Sequence, residues 1–243
     1  MTKTIEAAFT LIELLVVITI IAILASFALP AYTTVQTRAQ QTKDLSNAKQ
    51  IGLALKQFAS DNAGYFPAKA PAVDYESATP LTGANVSNDA FWWLFPNYLQ
   101  SEDIFTVGGS AWTQNPADNV LDAAGSANRT ETLEGTGGGN GGTAFAECSY
   151  AYVAYLTDTS NSAFPLVADA FSNATPLTYE TSKTTPGGVW EAKKAIVLMC
   201  DGSGQIMKVD ATTHQVKRSD GTNYFSTGTN WLDATNLVIN PAP

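Results

Sequence analysis

The chain has 243 residues, 45% of them hydrophobic and only 14% charged, enough for one substantial core or for a membrane helix plus one globular domain. Its 13 basic and 22 acidic side chains leave a net charge of −9, which argues against nucleic-acid binding and its basic footprint. The two cysteines and single histidine form no CxxC pair or His/Cys cluster, which argues against a zinc site.

Residues 9–32 read FTLIELLVVITIIAILASFALPAY. From Leu14 to Leu29 only Thr19 and Ser26 interrupt the apolar run. With residues 9–12 it approaches the roughly 20 residues that span a bilayer. Glu13 sits inside this stretch, and no other charge follows before Arg38. A carboxylate at the bilayer centre costs about 2.5–3.5 kcal/mol on insertion scales, so such a residue marks a function and needs a partner. A cleavable secretory signal would use Ser26-Phe27-Ala28 as its small-x-small site, but Glu13 near the start of the apolar core opposes it. An ordinary membrane anchor is also compatible. The flanking charges do not orient it, since Lys3 precedes the segment and Arg38, Lys43 and Lys49 follow it.

A third possibility accounts for more residues. The stretch Ala8-Phe9-Thr10-Leu11-Ile12-Glu13 resembles the prepilin cleavage and methylation motif of type IV pilins and type II secretion pseudopilins. The resemblance implies a hydrophilic leader, residues 1–8, cut by a prepilin peptidase between Ala8 and Phe9, and N-methylation of the new amine of Phe9. Ala8 stands where the family usually carries glycine. Glu13 becomes the fifth mature residue, the family's glutamate position, and Pro30 matches its helix-kinking proline. The resemblance further implies that helices stack with an axial stagger in a filament, so that Glu13 of one subunit meets the Phe9 amine of a neighbour. A paired buried charge is tolerated where a lone one is not. The bland alternative for Glu13 is a carboxylate that snorkels to the membrane interface.

Beyond Pro30, Leu45, Ala48, Ile51, Leu55 and Phe58 recur at helical steps and form one apolar face. Lys43, Asp44, Lys49, Lys56 and several glutamines are assigned to the polar face. The helix is expected to end near Asn62, with Gly64 as its C-cap and Pro67 beyond. Its first half is apolar all round and its second half amphipathic, so the second half should lie on a sheet. Pro30 removes a backbone hydrogen bond and should bend or locally melt the helix. The segment LSNAKQIGLALKQFASDNAGYFP also resembles pseudopilin-like proteins, with Asp61, Asn62 and Tyr65 at the matching positions; the same residues suit a helix cap and a turn.

Residues 64–143 form a connecting region. Its aromatic cluster AFWWLFPNYL, residues 90–99, is expected to be a short helix or turn that packs rings onto the core, with an exposed partner-binding patch as the alternative. WWLFPNYLQSEDIF loosely resembles a segment of large pilin-like proteins in which Cys-Pro often follows the phenylalanine; Thr106-Val107-Gly108 follows here. The stretch GTGGGNGG at 135–142 suits a surface loop and lacks the Gly-Lys-Ser/Thr of a phosphate loop.

Residues 144–243 are expected to supply strands. CSYAYVAYLT (148–157), FPLVADA (164–170), a hairpin over AIVLMCDGSGQIMKVD (195–210) that turns at Asp201-Gly202-Ser203-Gly204, and NLVIN (236–240) as an edge fit that pattern. A helix followed by runs of strands predicts an α+β fold with an antiparallel sheet. The pilin-like resemblance implies the same arrangement, a long N-terminal helix packed on the sheet. The expected organisation is a leader at 1–8, a transmembrane and filament-core helix at 9–30, an amphipathic helix half at 31–63 and a globular domain at 64–243. Cys148 and Cys200 could pair as a disulfide outside the cytoplasm, or remain small buried thiols on neighbouring strands.

No catalytic constellation is visible. His214, the sole histidine, lies in the polar stretch ATTHQVKRSD, and no G-x-S-x-G or HExxH motif occurs. Asp220 and Asp233 with nearby carbonyls are candidate calcium ligands, by resemblance to some major pseudopilins; no other cofactor is expected. The expected function is structural, not enzymatic: a subunit of a type II secretion pseudopilus or a type IV pilus, with a minor pseudopilin or tip-binding module as the alternative. The implied partners are the prepilin peptidase, other pilin subunits and an inner-membrane assembly platform. The implied location is the inner membrane, single-pass with the globular domain outside the cytoplasm, then a periplasmic or cell-surface filament.

Overall fold

The computed structural model describes residues 10–70, 72, 74–83, 85–95, 97–113, 117, 119, 133, 147–173, 175–228 and 231–241. The leader, the cleavage site at Ala8 and Phe9, and the glycine-rich stretch at 135–142 lie outside the described residues. The chain forms two compact units, Met1–Thr42 and Lys43–Pro243.

The first unit is built on the N-terminal part of helix α1, which spans Leu11–Asp61. Leu11, Ile12, Leu14, Leu15, Ile18, Ile21, Leu24 and Phe27 are all exposed. The segment meets the length and hydropathy of a membrane span. Its two hydroxyls need no outside partner: Thr19 Oγ1 donates to the Val16 carbonyl at 2.8 Å and Ser26 Oγ to the Ile23 carbonyl at 2.7 Å. The helical assignment runs without interruption from Leu11 to Asp61.

The second unit contains the core. Ala48, Ile51, Leu55 and Phe58 of α1 are buried as the helical spacing requires, joined by Ala54 and Ala59. The helix ends at Asp61, Asn62 Nδ2 caps the Phe58 carbonyl at 2.8 Å, and Gly64 N closes on the Ala59 carbonyl at 2.8 Å. Ala63 shares the left-handed turn with Gly64, at φ 55° and 85°.

Helix α2, Ser87–Phe91, and the 3-10 turn Trp92–Leu94 hold the aromatic cluster. Phe91, Trp92, Leu94 and Phe95 are buried. Phe91 meets Tyr152 and Phe105 with ring centroids 5.3 and 5.1 Å apart, so most of the cluster serves core packing.

The five strands are β1 Tyr150–Ala154, β2 Pro165–Asp169, β3 Lys194–Met199, β4 Gly204–Lys208 and β5 Leu237–Ile239. They form one antiparallel sheet in the order β4-β3-β2-β1-β5, which gives the expected α+β architecture. Every residue of β1 and β2 is buried, so both faces of the central strands are covered. Two glycines allow α1 to approach closely. A Cβ at Gly52 would come within 2.5 Å of Leu198 Cδ2 on β3, and one at Gly204 on β4 would come within 2.5 Å of Leu45 Cδ1.

Of the two alternatives for the cysteines, the register rules out the disulfide. Cys148 and Cys200 are both free and buried. Tyr150 pairs with Asp169 and Pro165 with Met199, so the cysteines flank opposite ends of β2. They also adjoin β1 and β3, two strands that β2 separates. The four steps along β2 alone are about 13 Å at about 3.3 Å per residue, beyond the roughly 7 Å between Cα atoms that a disulfide permits.

Candidate functional site

The N-terminus of α1 carries Glu13. Thr10 N and Thr10 Oγ1 donate to Glu13 Oε2 at 2.9 and 2.7 Å, and Glu13 N donates back to Thr10 Oγ1 at 3.3 Å. This is a capping box, Thr-x-x-Glu, in which two otherwise unpaired backbone donors of the first helical turn are satisfied reciprocally. The motif stands in the sequence as Thr10-Leu11-Ile12-Glu13. Glu13 is thus a helix cap as well as a charge.

A second cluster lies deep in the globular unit. Asp44, assigned above to the polar helix face, is 2% exposed, and Asp169 at the end of β2 is 1% exposed. Asp44 Oδ1 accepts the Tyr150 hydroxyl. Asp169 Oδ2 accepts Trp190 Nε1 at 2.8 Å and Ile196 N at 2.7 Å. Burial raises both carboxyls above the usual carboxylate range, and for Asp169 the negative Asp44 adds to the rise. Burial likewise pushes the Tyr150 and Tyr179 hydroxyls well up. The missed signal was positional: Asp44, Ala48, Ile51 and Leu55 stand at i, i+4, i+7 and i+11, so the carboxyl lies in the apolar stripe.

The remaining candidates stay apart. Burial pushes the Cys148 and Cys200 thiols up to about 12, which suits inert thiols rather than nucleophiles. Asp220 Oδ1 accepts Thr222 N at 2.9 Å, and Asp233 Oδ1 accepts Thr235 N at 2.9 Å. Each closes its own Asx turn. Among the described residues no group of three or more His, Cys, Asp or Glu side chains converges as a metal site would need. His214 sits in a turn at φ 53°, its N–H donating to the Asp210 carbonyl at 2.8 Å. A surface cavity of about 580 Å³ beside Thr175, Asn223 and Asn236 is lined by no titratable side chain. A second, about 460 Å³, lies between Tyr65, Tyr155, Lys69 and Glu76.

Residues 4–29 match the family model of the prokaryotic N-terminal methylation motif. The chain is 39% identical over 61 residues to the type IV major fimbrial protein FimA of Dichelobacter nodosus, covering 25% of this chain and 38% of the relative. It is 42% identical over 57 residues to the type IV major pilin protein PilA of Myxococcus xanthus, covering 24% and 26%. It is 35% identical over 86 residues to a fimbrial protein of Neisseria meningitidis, covering 35% and 50%. The matches thus span half or less of these relatives' lengths. These three titles are those of fimbrial or pilin proteins, and none is an enzyme's. No solved structure matches the chain significantly. The chain is type IV pilin-like in its N-terminal part.

Proposed function

We propose that this pilin-like chain is the structural subunit of a type IV pilus, polymerised through the exposed apolar half of α1. One observation carries the proposal: an unbroken apolar helix that begins on a methylation motif and exposes its large side chains while a separate unit buries its own core. Such a surface is stable in lipid or against copies of itself, and not in water. In this proposal a prepilin peptidase cuts between Ala8 and Phe9, Phe9 is N-methylated, and the subunit waits in the inner membrane with its globular unit outside. An assembly platform then moves α1 from lipid to filament. Glu13 pairs with the Phe9 amine of a neighbouring subunit. A pilus is preferred to a type II secretion pseudopilus because the relatives named above carry fimbrial and pilin titles.

The test is the intact mass and N-terminal sequence of the protein from membrane and sheared-surface fractions. A chain that starts at N-methylated Phe9 and dominates the sheared filaments is the expected result. A chain that starts at Met1 in both fractions would refute processing. A processed chain found only in trace amounts among sheared filaments would favour a minor or tip subunit.

A further inference from the structure

We infer that Asp44 of α1 and Asp169 of β2 hold one proton between them, so that the core contains a proton-binding site of the carboxyl–carboxylate type. Each carboxyl commits one oxygen to protein donors. Asp44 Oδ1 takes the Tyr150 hydroxyl, and Asp169 Oδ2 takes Trp190 Nε1 and Ile196 N. The other two oxygens, Asp44 Oδ2 and Asp169 Oδ1, are buried and receive no donor. Tyr150 stands directly across the ladder from Asp169 and its hydroxyl bonds Asp44, so the two buried carboxyls share one face of the sheet beside the same tyrosine, where each acts on the other. An ionised carboxylate only accepts, so two facing carboxylates repel. One proton placed between them converts the contact into a short, strong O–H···O⁻ bond and satisfies both oxygens together.

The described groups packed against the pair carry no positive charge. Strand β1 presents Tyr150 and, just before it, Cys148. The segment after β2 presents Tyr179, whose hydroxyl donates to the Asp169 carbonyl at 3.3 Å. The segment before β3 presents the neutral Trp190. On α1 the neighbouring Lys43 side is exposed. Two buried negative charges without a cation would be very costly. A shared proton leaves a single charge, on which the donors from Tyr150, Trp190 and Ile196 converge.

The site makes the fold respond to pH in a definite direction. Unfolded aspartates release their protons near about pH 3.9, whereas the folded pair keeps one at higher pH. The folded state therefore binds more protons, and its stabilisation is complete in acid and lost as pH rises through the pair's own titration. Within that window the folded-to-unfolded ratio falls about tenfold per pH unit for one proton.

The test uses the full-length protein in detergent micelles. Infrared spectra should show a protonated carboxyl at neutral pH, and the band should disappear in Asp44→Asn, where an amide N–H can replace the shared proton. Guanidinium unfolding followed across pH should show the tenfold-per-unit fall in the native protein and a much flatter profile in Asp44→Asn. Absence of the band from the native protein at neutral pH would overturn the proposal, whether or not the variant folds. So would persistence of the band in both Asp44→Asn and Asp169→Asn. A drop in the unfolding midpoint on adding a metal chelator would assign the pair to a bound cation and overturn it as well.

Discussion

Replacing Gly52 by alanine sets two effects of opposite sign against each other. Alanine in a helix interior is favoured over glycine by about 0.8–1.0 kcal/mol. The structure places Leu198 Cδ2 2.5 Å, and Leu198 Cγ 3.4 Å, from where the new methyl would stand. Carbon atoms settle at about 3.5–4.0 Å, so Leu198 or the helix must yield by about 1 Å. Leu198 is fully buried, as are Ile51 and Leu55 on the same helix, and a close-packed core offers it little space. Overpacking of this kind costs about 1–3 kcal/mol. The net expectation for Gly52→Ala is a destabilisation of about 0–2 kcal/mol. Leu198→Ala alone should cost about 2–5 kcal/mol. In the double variant the methyl at residue 52 enters the vacated space, so its cost should fall short of the sum by about 1 kcal/mol or more. Guanidinium unfolding of the full-length protein in detergent, followed by tryptophan fluorescence, measures all four corners of the cycle. A Gly52→Ala protein more stable than its parent, or a strictly additive cycle, would refute the close seating of α1 on β3.

The other expectations are more direct. Glu13→Gln should reduce the amount of sheared filament severely while leaving the unfolding midpoint of the globular unit unchanged, because among the described residues the Glu13 side chain hydrogen-bonds to Thr10 alone. Tyr150→Phe removes the donor to the buried Asp44 and should lower stability by about 1–3 kcal/mol, read as a shift of the denaturation midpoint. Leu55→Ala, at a fully buried helix position, should cost about 2–5 kcal/mol by the same assay. Dithiothreitol should leave the thermal midpoint unmoved, and Ellman titration should find both thiols only after unfolding, because Cys148 and Cys200 are free and buried.

The parts of the fold that were legible in the sequence are those set by periodicity and local chemistry. The apolar spacing of Ala48, Ile51, Leu55 and Phe58 placed the buried face of α1, and the β-branched and aromatic runs placed all five strands. Gly64 marked the end of the helix because it can adopt the left-handed turn seen there. Non-local pairing was not legible. Whether Cys148 could reach Cys200 depended on strand order, which no local pattern encodes. Asp44 was misplaced because residue type outweighed position: a carboxylate is normally solvated, yet its spacing put it on the buried stripe. What makes the burial tolerable comes from Tyr150, more than a hundred residues away in the chain (|i−j| = 106), together with Asp169 and Trp190.

The two carboxylates of α1 that stand in unusual surroundings, Glu13 and Asp44, are handled by different physics. Asp44 is held by groups brought from distant strands, so it exists in its present state only once the globular unit has folded. Glu13 is held by the residue three positions before it, and its partners travel with it. In a bilayer a bare carboxylate has no donor to replace lost water. The Thr10 N–H and hydroxyl supply two donors without help from any other chain, so that in the proposed function the subunit would wait in lipid with its carboxylate partly satisfied. Those donors are neutral, and hydrogen bonds to a charged donor are roughly twice as strong. A cationic amine presented by a neighbouring subunit would therefore outcompete Thr10 for the carboxylate. Under the proposed function, the capping box would act as a holding position, strong enough to make the single subunit tolerable and weak enough to be surrendered on assembly.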